Sequence, residues 1–336
     1  MIEGIPSGAH WIKVNRFFGD GMMIYNAIEP LRRAGLPLVF WGPAAAVDLF
    51  QGSAGVVGTL AEPQRRYSAF QAAKTLRSHR PASLVAFPKS ARPLLAGWLA
   101  RVPLRLGCGD GGVSFLCTHS VAFYKEDGHF VDRYASVVRK AFPELGPMGF
   151  AAFRPRAEAF QRREDQARSV GLSGDYLVLA PGANSASKRP SVALLVALGR
   201  RAEAAGLSVV ILGAGEEDRK LGERISAELP HALNLVDQCS LSLSAAWICQ
   251  ARGLLGGDSG LAHIAGGAGM PTLVLFGPTR PRHSMPRGPR VKVLRKENLG
   301  CLECMVFNCP LPDHPCMAAL PDGLVWDELL ALMETP

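Results

Sequence analysis

No apolar run in this 336-residue chain reaches the ~20 residues that cross a bilayer, so a membrane-spanning protein is not expected. The opening Met1-Ile2-Glu3-Gly4-Ile5-Pro6 lacks the basic-then-apolar layout of a signal peptide, which leaves a cytoplasmic protein as the expectation. Aromatic residues make up only 7%, and none interleave with basic residues as an RNA-stacking platform would require. With no nucleic-acid motif either, nucleic acid is not an expected partner. The Gly-Lys-Ser/Thr step of a Walker A loop is missing, which disfavours ATP hydrolysis. Gly19-Asp20-Gly21 lacks the third glycine of a dinucleotide fingerprint, which argues against a nicotinamide oxidoreductase. Solenoid repeats and low-complexity segments are absent too.

What is present is a globular composition, 48% hydrophobic and 20% charged, with 36 Gly and 25 Pro for many short loops. The length allows two domains. The net charge of +8 is lopsided: residues 1–170 carry +9 and residues 171–336 carry −1. Between 60 and 105, Arg65, Arg66, Lys74, Arg77, Arg80, Lys89, Arg92, Arg101 and Arg105 face only Glu62. That field draws an anionic partner, such as a membrane surface or a phosphorylated substrate, or it is a solvated basic face with no specific ligand.

Short apolar runs alternate with amphipathic ones, the pattern of an α/β fold with parallel sheets. Strands are expected at 11–14, 38–41, 83–87, 176–180, 207–212, 253–256 and 271–276. Helices are expected at 22–33, 65–80 (with Tyr67 and Phe70 on its inner face), 130–142, 157–170, 192–205, 216–229 and 243–250. Composition changes around Phe153-Arg154-Pro155-Arg156, giving domains at 1–155 and 156–336. Two such halves make a cleft where two substrates can meet.

Four loops have the makings of a site. Gly256-Gly257-Asp258-Ser259-Gly260-Leu261-Ala262-His263 reads as a strand end, a glycine turn and a helix start with Asp258 as the N-cap. The amides of Ser259, Gly260 and Leu261 would then form a seat for phosphate, with His263 on the first turn; an ordinary strand-to-helix turn has the same outline. In Gly19-Asp20-Gly21-Met22, after the first strand, Asp20 is either a general base or a cap for a helix beginning at Met22. Pro181-Gly182-Ala183-Asn184-Ser185-Ala186-Ser187-Lys188-Arg189-Pro190 could hold a diphosphate, with Lys188 as a point charge and Pro190 at the helix start, or be a plain loop. Glu216 and Glu217 could accept from a ribose diol or be first-turn acids favoured by the helix dipole.

Of the eight cysteines, Cys108, Cys117, Cys239 and Cys249 read as core residues. Cys301-x2-Cys304-x4-Cys309-x6-Cys316 could hold a structural zinc or an iron–sulfur cluster, or pair as disulfides, which a cytoplasmic setting disfavours. Neither metal option has a standard ligand spacing.

Gly19-Asp20 after the first strand, Ala180-Pro181-Gly182 with Lys188 and Pro190, the run ending in His263, and Phe276-Gly277-Pro278-Thr279 together resemble glycosyltransferase family 9, the ADP-heptose:lipopolysaccharide heptosyltransferases. Their order matches over nearly the whole chain, and the four-Cys spacing looks like the heptosyltransferase II branch. The resemblance implies a GT-B architecture: two Rossmann-like, doubly wound α/β domains facing across a cleft, the first binding acceptor and the second the sugar nucleotide. By position it implies Asp20 as catalytic base and Lys188 on the donor diphosphate, with Asn184 and Ser185 touching the phosphates. It likewise implies Asp258, Ser259, Gly260, Leu261 and His263 at the phosphate-binding helix start, Glu217 on the ribose and Cys239 near the adenine. The chain departs from the family in Phe17-Phe18 before Gly19-Asp20, and in Arg189 where a tryptophan is usual.

The chemistry implied is inverting transfer of heptose from ADP-heptose to a lipopolysaccharide inner core. Asp-x-Asp is absent, so no divalent ion is expected to be required. An anionic core at a membrane face suits the basic first half and places the protein peripherally on the inner membrane. Another nucleotide sugar or glycan acceptor, or a non-catalytic sugar-nucleotide-binding protein on the same fold, are the alternatives.

Overall fold

The Val/Leu/Ile-rich runs become parallel strands buried on both faces, because each crossover lays a helix over one side of its sheet. This is the arrangement in the computed structural model, which describes residues 4–63, 67–87, 91–109, 112–122 and 128–334. The chain forms two compact units, Met1–Ala151 and Ala152–Pro336. The first holds β1 (His10–Lys13), β2 (Leu38–Gly42), β3 (Val56–Ala61), β4 (Ser83–Ala86), β5 (Leu104–Cys108) and β6 (His119–Val121), in the order β3-β2-β1-β4-β5-β6. The second holds β7 (Tyr176–Ala180), β8 (Ser208–Ile211), β9 (Leu233–Asn234), β10 (Gly253–Gly257), β11 (Thr272–Leu275) and β12 (Val291–Leu294), in the order β12-β11-β10-β7-β8-β9. Both are Rossmann-like, doubly wound sheets, and the strand order reverses between β1 and β4 in one and between β7 and β10 in the other. Ligands bind beyond the carboxyl ends of strands at such a switch point.

Each unit has its own core. In the first, Trp11, Val39, Trp41, Leu76, Leu84 and Leu94 pack on one face of the sheet, and Phe40 stacks on Phe50 at 4.4 Å on the other. In the second, Leu177, Leu179, Ile211, Leu255 and Leu273 pack against Leu195, Leu198, Val325 and Leu329 from its helices. No helix among the described residues is long and apolar enough to cross a membrane.

Several expectations change. The first unit ends at Ala151 rather than 155, because Phe153 is fully buried in the second unit and its amide bonds Gly267 O at 2.7 Å. Arg154 follows, donating to Ala268 O at 2.7 Å, a cation on the carbonyl end of a helix. The helix expected at 22–33 is two, Phe18–Ala27 and Glu29–Arg33, divided at Ile28, with Pro30 in the first turn of the second. Phe70 is not on an inner face: it is 75% exposed, and the helix Ala69–His79 buries Ala72, Ala73, Leu76 and His79 instead. The Arg65 and Arg66 end of that helix lies outside the described residues. β3, β5, β6, β9 and β12 are strands beyond those the sequence pattern predicts. β3 and β12 are half-exposed edge strands and β9 has two residues, so their apolar signal is weak. The helix Asp322–Glu334 was also missed, and it closes the second core with Trp326, Leu329 and Met333.

Leu329 is fully buried there. Leu329→Ala is expected to destabilise the second unit by about 2–5 kcal/mol, read as a lower urea midpoint for its unfolding transition.

Candidate active site

The second sheet's switch point brings together two loops that are seventy residues apart in sequence. After β7, the chain runs through Pro181–Ser185 into a short 3-10 turn, Ala186–Lys188. After β10 come Asp258 and the helix Gly260–Gly267. The loops touch backbone to backbone at Gly257, where an added Cβ would stand 2.0 Å from Lys188 O. Only glycine fits this approach. At Gly182 the obstacle is Asp218, whose Oδ1 would lie 2.0 Å from a Cβ.

Asp258 joins these pieces. Its Oδ2 accepts from Lys188 Nζ at 2.8 Å and from Thr279 Oγ1 at 2.8 Å. His263 Nε2 lies 3.8 Å from Oδ1, an electrostatic approach rather than a hydrogen bond. The carboxylate is 7% exposed. Burial pushes its carboxyl up, and the His263 ring and Lys188 ammonium more than offset that, holding it down to about 2. A buried charge of this kind persists only when paired and hydrogen-bonded.

The helix cap differs from expectation. Ser259 is the N-cap, its Oγ accepting from Ala262 N at 3.5 Å, and Asp258 stands one residue before it. Asp258 is thus freed to hold side chains. The first-turn amides of Gly260 and Leu261 precede any helical acceptor, and both residues are half-buried at the loop. Pro190 precedes the cap of its helix rather than opening it, since Ser191 Oγ accepts from Leu194 N at 3.2 Å.

Around this centre the other candidates fall differently. Asn184 is exposed. The Ser185 hydroxyl is buried, donating to Phe307 O at 2.7 Å and lying 2.8 Å from Ser187 Oγ. Glu217 is exposed, pairing with Arg189 at 3.2 Å and Lys220 at 3.2 Å. Asp218, which sequence reasoning passed over, is the acid turned inward. It accepts from Ala214 N at 3.0 Å, and burial raises its carboxyl. Its signal was Gly182 and Gly213, the two glycines that make room for it. Thr279, the last residue of the Phe276-Gly277-Pro278-Thr279 motif, is the other polar group at the centre that the sequence does not single out. Cys239 is half-buried with Sγ 3.6 Å from Gln166 Oε1, and burial pushes its thiol up to about 11.

The four-Cys segment lies against the same loops. Glu303 N and Met305 N donate to Gly277 O and Pro278 O at 3.0 and 2.9 Å, and Ser187 Oγ donates to Val306 O at 2.6 Å. Burial, and then the thiols of Cys309, Cys301 and Cys304, push the Cys316 thiol up to about 11. All four are free thiols, and among the described residues no three His, Cys, Asp or Glu are gathered as metal ligands. Of the other cysteines, only Cys108 is fully buried; Cys117 and Cys249 are half-buried like Cys239.

In the first unit, Asp20 lies in the first turn of the helix Phe18–Ala27, not before a helix at Met22. Phe17 is the N-cap residue and makes no side-chain cap. Asn15 bridges the turn instead, its Oδ1 accepting from Phe17 N at 2.7 Å and its Nδ2 donating to Asp20 Oδ2 at 3.0 Å. Asp20 is half-buried. Part of the basic field is engaged internally: Arg105 bonds Leu116 O and Val102 O, Arg77 bonds Leu99 O, and Arg92 pairs with Glu62. Arg65, Arg66 and Lys89 lie outside the described residues.

Comparison with known proteins bears on this geometry. Residues 94–314 match the family described as glycosyltransferase family 9 (heptosyltransferase). The chain is 25% identical over 240 residues to lipooligosaccharide heptosyltransferase 2 of Haemophilus influenzae, covering 67% of this chain and 68% of that one. The structure of E. coli ADP-heptose lps heptosyltransferase II superposes with a TM-score of 0.77 at 19% identity, over 97% and 98% of the two chains. An E. coli heptosyltransferase solved with ADP-2-deoxy-2-fluoro heptose gives 0.66 at 16%, over 88% and 96%. At these identities the structures establish the fold, which is that of the GT-B heptosyltransferases.

Asp258→Asn tests the centre. The folded carboxyl lies below its unfolded value near 4, so its stabilisation is present above pH ~4 and is lost as pH falls toward about 2. Wild type should exceed the variant by about 2 kcal/mol in unfolding free energy at pH 6, and the gap should close toward pH 2. Chemical denaturation across that range measures it.

Proposed function

Because the chain belongs to glycosyltransferase family 9, and is therefore a transferase, we propose that it moves heptose from ADP-heptose onto the inner core of a lipopolysaccharide, inverting the anomeric carbon. The observation that carries this reading is the Asp258 cluster at the switch point of the second sheet. It collects a lysine, a histidine and a helix start in one place, the furnishings of a diphosphate site. A bound diphosphate takes Lys188 as counter-ion, with the Gly260 and Leu261 amides on its oxygens. Asp258 keeps Lys188 extended and does not itself meet the anion, since two negative groups would repel.

In the reaction Asp20 takes the proton of an acceptor hydroxyl, and that oxygen bonds the anomeric carbon as the bond to the diphosphate breaks. The electron pair leaves with ADP, where Lys188 and the helix amides stabilise it. Asn15 orients the Asp20 carboxylate by donating to its Oδ2 at 3.0 Å. The positive first unit suits an acceptor bearing carboxylates and phosphates at an anionic membrane face, and with it a cytoplasmic, peripheral location.

One observation favours a second donor within the same family. Arg189 stands where tryptophan is usual, and it holds Glu217, so the ribose side of the pocket differs from the common pattern. Thermal stabilisation by ADP-heptose against UDP-, GDP- and TDP-sugars decides between the two donors. A larger shift with a non-ADP compound removes the ADP-heptose assignment.

Two substitutions should separate the roles. Asp20→Asn is expected to lower transfer by more than ~10³ while ADP affinity stays within about twofold. Lys188→Ala is expected to lower kcat by about 10²–10³ and to weaken ADP binding as well. Both are read by coupled ADP release and by calorimetry.

A further inference from the structure

Three pieces of the first unit form one outer layer over the same face of its sheet: the helix Ala69–His79, the helix Ala91–Leu99 and the 3-10 turn Ser114–Leu116. Their inward side chains, Ala72, Ala73 and Leu76, then Leu94 and Ala96, then Leu116, all join the core that holds Trp11, Val39 and Leu84. The first helix packs against the second, and the second against the turn. Arg77 ties the two helices together, donating to Leu99 O at 2.8 Å.

The outward side of this layer is unusual for a surface that meets only water. Phe70 is 75% exposed, Phe115 70% and Trp98 49%, and Leu95 is exposed one turn before Trp98. Single exposed apolar residues are ordinary, but here each of three adjoining elements carries a large one. Cations stand among them: Lys74 and Arg77 on the first helix, Arg92 on the second and Arg101 just after it are all exposed. The sequence from Pro63 to Gly109 holds no Asp or Glu to answer them. Glu62, just before that stretch, lies 3.6 Å from Arg92 and is shared with Lys13 at 3.4 Å.

Rings and cations together select the partner. A ring three-quarters exposed has no protein walls around it, so it is not the floor of a groove shaped for a peptide or a sugar. The boundary between headgroups and acyl chains needs no matching shape. It takes in Trp, Phe and Leu side chains, while anionic headgroups answer Lys and Arg. A twofold contact between copies of this chain would set the cationic layer against itself, which like charges oppose.

We propose that this layer docks on an anionic phospholipid surface, with Phe70, Leu95, Trp98 and Phe115 entering the headgroup boundary and Lys74, Arg77, Arg92 and Arg101 meeting the phosphates. Of the function proposed above, this deepens and rests on the peripheral location alone. Vesicles that carry no glycan and no donor therefore test it, and either reading can fail without the other.

Sedimentation of the full chain with phosphatidylcholine vesicles, with and without about 30% phosphatidylglycerol, measures the docking at about 0.1 M salt. Binding is expected with the anionic vesicles alone, and should fall by about tenfold or more at about 0.5 M salt as the charges are screened. Lys74→Ala combined with Arg101→Ala should weaken it by about tenfold or more, each cation being worth roughly fivefold at such a surface. Phe70→Ser combined with Phe115→Ser should weaken it by a similar factor, and at such exposed positions the unfolding midpoint should stay close to that of wild type. Trp98 reports depth, because Trp11, Trp41, Trp247 and Trp326 are buried. Phospholipid brominated on its acyl chains should quench the fluorescence of the bound chain, and Trp98→Phe should lose that quenching while still sedimenting. Absence of sedimentation with anionic vesicles at up to about 1 mM lipid overturns the proposal. So does binding without quenching, or binding that the paired variants leave unchanged, since either puts the contact on another face. Lipid-free self-association that Phe70→Ser with Phe115→Ser abolishes assigns the layer to a second copy of the chain and overturns it as well.

Discussion

A buried carboxylate cannot stay charged without partners, and Asp258 shows what the second unit does about it. Its charge holds Lys188 from the loop after β7 and Thr279 from the loop after β11, with His263 near by on the following helix. Three crossovers of the sheet are fixed to one another through a single side chain. The arrangement is possible because Gly257 lets the two main loops come into backbone contact. Removing one partner from such a pair leaves an uncompensated charge, which is worse than removing both. The cluster therefore holds as a unit.

Behind that centre the chain adds a second layer of constraint. Ser185 and Ser187 direct their hydroxyls away to Phe307 O and Val306 O, and the Gly277–Pro278 carbonyls receive the Glu303 and Met305 amides. The Cys301–Cys316 segment is in this way tied to both loops that hold Lys188 and Thr279. Several of its residues, Glu303, Met305, Asp313 and His314 among them, take left-handed backbone angles without being glycine. Such conformations persist where neighbouring contacts over-determine them. A rigid backing of this sort holds the loops that carry Lys188 and Thr279 in one arrangement.

The first unit follows the same plan with lighter means. Asp20 lies in the first turn of a helix at the carboxyl end of β1, and Asn15 holds it through one oxygen while capping the turn through Phe17 N. The charge that distinguishes this half is held in part by contacts within the unit. Arg77 and Arg105 are fixed in place by backbone carbonyls and keep their charge, while Arg92 is paired with Glu62.

The amino-acid sequence by itself determined the α/β class, the central strands of both sheets, the family and the loops that bear Asp20, Lys188 and Asp258. These are local or nearly local properties: apolar runs of the right length, glycines at turns and a helix start after a strand. Edge strands such as β3 and β12 escaped notice because half-exposed residues carry little pattern, and Phe70 was misplaced because its helix turns a different face inward. Only the tertiary structure decided what each polar group meets. It turned Asp218 rather than Glu217 inward, moved the cap from Asp258 to Ser259, and paired Asp258 with residues seventy and twenty-one positions away. Hydrogen bonds and ion pairs act over about 3 Å in space, and spacing along the chain does not record which distant loops will come that close.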